Sequence, residues 1–120
     1  MTEHSDPSIV LVGLMGTGKT TVGRLLAERL GMRHVDTDDL IVERTGHTVR
    51  EIFESDGEDA FRVLETQVLL ETLATPVPVV LAAAGGVVLS NSNRQALRES
   101  GAFVVWLLSL IHISEPTRPY

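Results

Sequence analysis

The run Gly13-Leu-Met-Gly-Thr-Gly-Lys19-Thr20 constrains this chain more than any other stretch of its 120 residues. It matches G-x-x-x-x-G-K-[ST], and its flanks suit that pattern. Before it, Ser8–Val12 is a short β-branched run that reads as a buried strand. After it, Thr20–Leu30 carries Val22, Leu25, Leu26 and Leu30 at helical spacing, with Gly31 where a C-cap belongs. A glycine-rich turn between strand and helix points its backbone N–H groups inward, and the helix adds its positive end, so the loop is a cradle for phosphate. Lys19 is then set to reach β- and γ-phosphates, and the Thr20 hydroxyl to hold Mg²⁺. Gly16, Thr17, Gly18, Lys19, Thr20 and Thr21 are the candidate nucleotide contacts. Lys19 is also the only lysine, against nine arginines, which marks it as a position where arginine does not serve.

The rest of the chain alternates strand and helix signals. Arg33–Asp36 reads as a second strand, Asp39–Thr45 as a helix closed by Gly46, and Thr48 with Glu51 as a capping box opening a helix over Val49–Ser55. Glu58–Ala74 reads as the longest helix, with Phe61, Leu64, Val68 and Leu69 on one side. Val79–Ala84 is an uninterrupted apolar run, as expected of an inner parallel strand, broken by Gly85–Gly86. Ser92–Glu99 reads as a helix stopped by Gly101, and Phe103–Leu107 as a fourth strand. Such alternation predicts an α/β fold in three layers, α/β/α, around a parallel sheet. With 43% apolar and 22% charged residues and a net charge of -6, the composition is that of a globular domain without the basic face of a nucleic-acid binder. No apolar run is long enough to span a bilayer, and without cysteine neither a disulfide nor a thiolate metal site can form. The polar N-terminus lacks a signal-peptide layout, so the expected compartment is cytoplasmic.

In an open α/β sheet, residues just past the carboxyl ends of strands line the ligand crevice. Asp36-Thr37-Asp38 stands at such an end. One aspartate can support a hydrated Mg²⁺ and the other take a proton from a substrate hydroxyl; equally, the pair can simply cap the following helix. Arg62 lies four residues after Glu58 and three before Glu65. It reads either as a solvated i,i+4 ion pair or as a fork for a substrate carboxylate. Gly85–Gly86 is either a plain turn or a place where backbone approaches a ligand.

Taken together, GLMGTGKTTVGRLLAERLG, HVDTD, ERTGHTVREIFESDGEDAFRVLE and AAAGGVV resemble shikimate kinase in order, spacing and identity over about Ile9–Leu107. The resemblance implies a P-loop kinase fold with sheet order 2-3-1-4-5, and transfer of the ATP γ-phosphoryl group to the 3-hydroxyl of shikimate, a step in chorismate and aromatic amino acid biosynthesis. It implies that Asp38 binds the ring hydroxyls and acts as base, and that Asp36 sits near Mg²⁺ with Thr20. Arg62 would grip the shikimate carboxylate, and Gly85 would offer its backbone N–H to the substrate. Ala84 stands where many members carry a first glycine. The partners implied are ATP and shikimate, with no nucleic acid or membrane, and a monomer in the complete form. Other readings are a different small-metabolite kinase such as a gluconate kinase, or a nucleotide-binding module without catalysis.

Members of that family continue with a mobile lid, a second carboxylate-binding arginine, an adenine loop and a fifth strand. Here the residues from Leu108 to Arg118 instead match the in-frame translation of a transposon-end sequencing adaptor. The expected organisation is therefore a partial kinase domain over 1–107 and a non-native tail over 108–120. The fifth strand is expected to be missing, and the chain by itself to be inactive.

Overall fold

The computed structural model describes residues 7–13 and 18–107; Gly16, Thr17 and the adaptor-like tail lie outside the described residues. Four strands, β1 (Ile9–Gly13), β2 (Arg33–Asp36), β3 (Val79–Ala82) and β4 (Phe103–Leu107), form one sheet in the order β2-β3-β1-β4. Every pairing is parallel, with Ile9 opposite Val80 and Phe103, and Asp36 opposite Ala82. The carboxyl ends of all four strands therefore share one edge. This is the order that the family resemblance implies for the first four strands.

The layers follow from the alternation of side chains along the two inner strands. Val10 and Val12 of β1 and Val79 and Leu81 of β3 face one way and pack with Leu69, Val87 and Leu97. These partners come from α3 (Val49–Ala74), the 3-10 helix Gly85–Leu89 and α4 (Asn91–Ser100). Leu11 and Val80 face the other way, onto Ala27 of α1 (Lys19–Leu30). A third cluster, Ile41, Ile52, Phe61 and Val68, joins α2 (Thr37–Thr45) to α3. Each of the valine, leucine, isoleucine and phenylalanine side chains among these contributes about 1.5–3 kcal/mol relative to exposure.

Beyond shifts of one residue at the ends of β1, α1 and α4, three boundaries differ from the sequence reading, each for a local reason. The helix α2 starts at Thr37 rather than Asp39, because the Asp36 carboxylate accepts from the amides of Asp38 and Asp39, at 2.9 and 3.4 Å, and so caps the helix directly after the strand. The strand β3 ends at Ala82 rather than Ala84. The Ala83 amide still donates to the Leu11 carbonyl, but the Ala84 amide turns to the Thr37 hydroxyl, and the chain then winds into the 3-10 helix. The two helices expected over 49–55 and 58–74 are one bent element, α3, opened by the capping box in which Thr48 and Glu51 exchange hydrogen bonds at 3.0 and 2.8 Å. The bend lies at Gly57, whose φ of 91° and ψ of 171° are open only to glycine.

Candidate active site

The sheet's carboxyl edge carries a cavity of about 590 Å³. Of the ten residues singled out from the sequence, eight line it: Gly18, Lys19, Thr20, Thr21, Asp36, Asp38, Arg62 and Gly85. They arrive from four separate places in the chain. Gly18–Thr21 open α1, Asp36 and Asp38 bracket the junction of β2 and α2, Gly85 follows β3, and Arg62 reaches in from α3. Gly16 and Thr17 lie outside the described residues.

At the phosphate side, Lys19 Nζ donates to the Gly13 carbonyl at 2.6 Å, folding the lysine back across the loop. Burial lowers its pKa, while the charges of Asp36 and Asp38 pull the other way. Thr20 and Thr21 are exposed to the cavity. Opposite them, the Asp36 Oδ1 caps α2, which leaves Oδ2 without a capping role. The helix-cap reading of this segment is thus correct for Asp36. Asp38, the second residue of α2, lies at the exposed start of that helix. Burial at the cavity wall raises its pKa first, then repulsion from Asp36 and Asp39, with Lys19 opposing. A carboxylate whose charge is crowded in this way is a better proton acceptor than a free one.

Arg62 is held in place. Its Nη1 donates to Glu65 Oε1 at 2.8 Å and its Nη2 to Glu58 Oε2 at 3.0 Å, and its Cζ stands 5.7 Å from the centre of the Phe61 ring. The i,i+4 pair with Glu58 is present, but the arrangement is not a solvated surface pair. The Glu65 side chain is only 1% exposed. Desolvation raises the Glu65 pKa against the pull of Arg62, and the Glu65 hydrogen bond heads the causes that raise the Arg62 pKa. A guanidinium has five N–H donors. Two are engaged here, so the head can still offer a fork to an anion in the cavity while its direction is fixed from behind.

Three residues escaped the sequence reading in these roles. Glu65 was visible only as an i+3 neighbour of Arg62; its burial depends on the 3-10 helix and α4 packing over α3. Gly86 was read, with Gly85, as either a plain turn or a place where backbone approaches a ligand, not as a seat for Arg62. A Cβ there would collide with the Arg62 guanidinium, 2.7 Å from Cζ. Thr37, the middle of Asp36-Thr37-Asp38, is fully buried, and its hydroxyl accepts from the Ala84 amide at 3.0 Å. A small polar residue between two candidate acids was the available hint.

Comparison with known proteins gives these features a context. The family model described as shikimate kinase matches residues 15–114, and so runs on into the first part of the adaptor-like tail. A curated shikimate kinase from Symbiobacterium thermophilum is 54% identical over 100 residues, which is 83% of this chain and 56% of that protein. The solved shikimate kinase from Acinetobacter baumannii, in complex with shikimate, superposes with a TM-score of 0.80 at 48% identity, over 84% of this chain and 55% of that one. A gluconokinase from Sinorhizobium meliloti reaches a TM-score of 0.60 at 30% identity, over 85% of this chain and 56% of that one. The chain spans little more than half the length of the relatives it matches. On the family match over residues 15–114 and the 54% identity to a curated member, it belongs to the shikimate kinase family.

Proposed function

We propose that this cleft is the phosphoryl-transfer site of an ATP-dependent kinase acting on the 3-hydroxyl of shikimate. The observation that carries the reading is the presence of Arg62, already oriented by Glu58 and Glu65, in the same cavity as Lys19 and Asp38. A phosphate-directed lysine, a proton acceptor and a carboxylate fork are the three groups that a hydroxy-acid kinase needs. Lys19 would exchange the Gly13 carbonyl for nucleotide phosphate oxygens, together with the amides of Gly16–Thr21. Asp38 would accept the proton of the attacking hydroxyl, Arg62 would hold the shikimate carboxylate, and the Gly85 N–H would orient the ring.

The donors available suit Mg²⁺. Among the described residues no group of three or more His, Cys, Asp or Glu could enclose a metal ion. The cavity offers the Thr20 hydroxyl and the free oxygen of Asp36, and magnesium characteristically takes one or two such protein oxygens and completes its shell with water and substrate phosphates. When bound, the ion would neutralise charge on the phosphates. No helix among the described residues is long and apolar enough to cross a membrane.

The gluconate kinase reading shares the cleft's chemistry but has weaker support, with 30% identity against 48% for the shikimate-bound neighbour. A module without catalysis is disfavoured by the crowded Asp38 carboxylate. The test is a coupled ADP-release assay on a form of the protein extended to the length of its relatives, offered shikimate or gluconate. Turnover with shikimate alone supports the reading; turnover with gluconate alone, or with neither, overturns it.

A further inference from the structure

We propose that Thr37 is a positioning residue, whose buried hydroxyl ties the turn Ala84–Gly86 to the start of α2 and so sets the spacing between Asp38 and Arg62. This rests on the shikimate reading above. β2 and β3 pair as far as Asp36 and Ala82. Beyond that point β2 turns at once into α2, whose backbone carbonyls serve the helix, so none remains in line for the next amides of the β3 chain. Ala83 finds the Leu11 carbonyl of β1 on its other side, at 2.9 Å. Ala84 finds the Thr37 hydroxyl, at 3.0 Å. A side chain thus continues the ladder where the backbone has left it.

The position of this bond matters for the site. Thr37 is fully buried and stands next to Asp38, while Ala84 is two residues before Gly86, against which the Arg62 guanidinium is seated. The bond therefore links the wall that carries the proton acceptor to the wall that seats the carboxylate fork. Among the described residues the Thr37 hydroxyl makes no such bond to Gly18–Thr21, so its loss should be felt by the acceptor substrate more than by the nucleotide. Valine at 37 keeps the shape of threonine and removes the acceptor; serine keeps the acceptor and removes a methyl group.

The experiment compares the protein, extended to the length of its relatives, with its Thr37→Val and Thr37→Ser variants, reading amide exchange at Ala84 by NMR and the affinities for shikimate and ADP by titration. Thr37→Val should expose the Ala84 amide to exchange and weaken shikimate about tenfold, the size expected for one lost hydrogen bond in a site, with ADP binding changed by less than about twofold. Thr37→Ser should restore both Ala84 protection and shikimate affinity. Unchanged Ala84 protection in the valine variant overturns the proposal, and so does an equal loss of both ligands. If the valine variant does not fold, the serine variant decides: weakened shikimate binding despite a retained acceptor overturns it. An extended protein that binds no shikimate refutes the shikimate reading instead, and Ala84 exchange still tests the Thr37 bond.

Discussion

Gly86→Ala should cost far more than one methyl group usually does. The backbone is not the reason, since Gly86 is absent from the residues with positive φ. The obstacle is Arg62, whose Cζ would lie 2.7 Å from the new Cβ and whose Nη1 would lie closer still. A guanidinium is the end of a flexible side chain and would ordinarily swing aside cheaply. Here swinging aside breaks the bonds to Glu58 and Glu65, and Glu65 is buried with its second oxygen already without a partner. Breaking a buried pair costs about 3–5 kcal/mol, and Arg62 is half exposed and able to keep part of the contact, so about 2–3 kcal/mol is expected. For a domain of this size that lowers Tm by roughly 10–20 °C. The assay is a double-mutant cycle by thermal denaturation with Arg62→Ala. In the Arg62→Ala background the methyl group has nothing to displace, so Gly86→Ala should become nearly neutral. Equal costs in both backgrounds would refute the reasoning, because the collision with Arg62 would then not be its source.

Three further expectations concern the same cleft and the helix behind it. The raised pKa of Asp38 means that its charge opposes folding, a penalty absent below the ordinary carboxylate range and fully present above the folded pKa. Asp38→Asn should therefore melt higher than wild type at pH 7, with the gain vanishing as pH falls below that range; an Asn variant no more stable at pH 7 would contradict this. Lys19→Ala should abolish detectable ADP binding by titration, since the lysine and loop amides are the phosphate-binding groups proposed here, and retention within threefold would contradict that role. Gly57→Ala forces a side chain into a conformation open only to glycine and should cost about 1–3 kcal/mol, read as a lowered denaturant midpoint.

The sheet was legible because its signals are local. The uninterrupted apolar run Val79–Ala84, and the phosphate-loop pattern between strand and helix, specify buried parallel strands without reference to anything distant. The boundary of α2 was not legible to the residue, because it depends on which of three neighbouring residues turns its carboxylate back onto the helix. Asp36 does so because β2 ends there and leaves two amides to be satisfied. The site divides along the same line. Lys19, Asp38 and Arg62 were legible as residue types at telling positions. Glu65, Gly86 and Thr37 were not, since each acts through a partner brought near by the fold: Thr37 meets Ala84 across 47 residues, and Gly86 meets Arg62 across two elements.

The central claim is that one cleft holds nucleotide phosphate at the Lys19 end and a carboxylate-bearing substrate at the Arg62 end. Titration calorimetry of Arg62→Lys against wild type, with shikimate and with ADP, tests it most directly. Lysine keeps the charge but replaces the fork by a single point donor, and it cannot span both Glu58 and Glu65 in the same geometry. The account predicts shikimate affinity lowered by about tenfold or more, with ADP affinity changed by less than about twofold. Equal weakening of both ligands would make Arg62 a structural ion pair, and shikimate affinity unchanged by the substitution would remove the carboxylate fork from the site altogether.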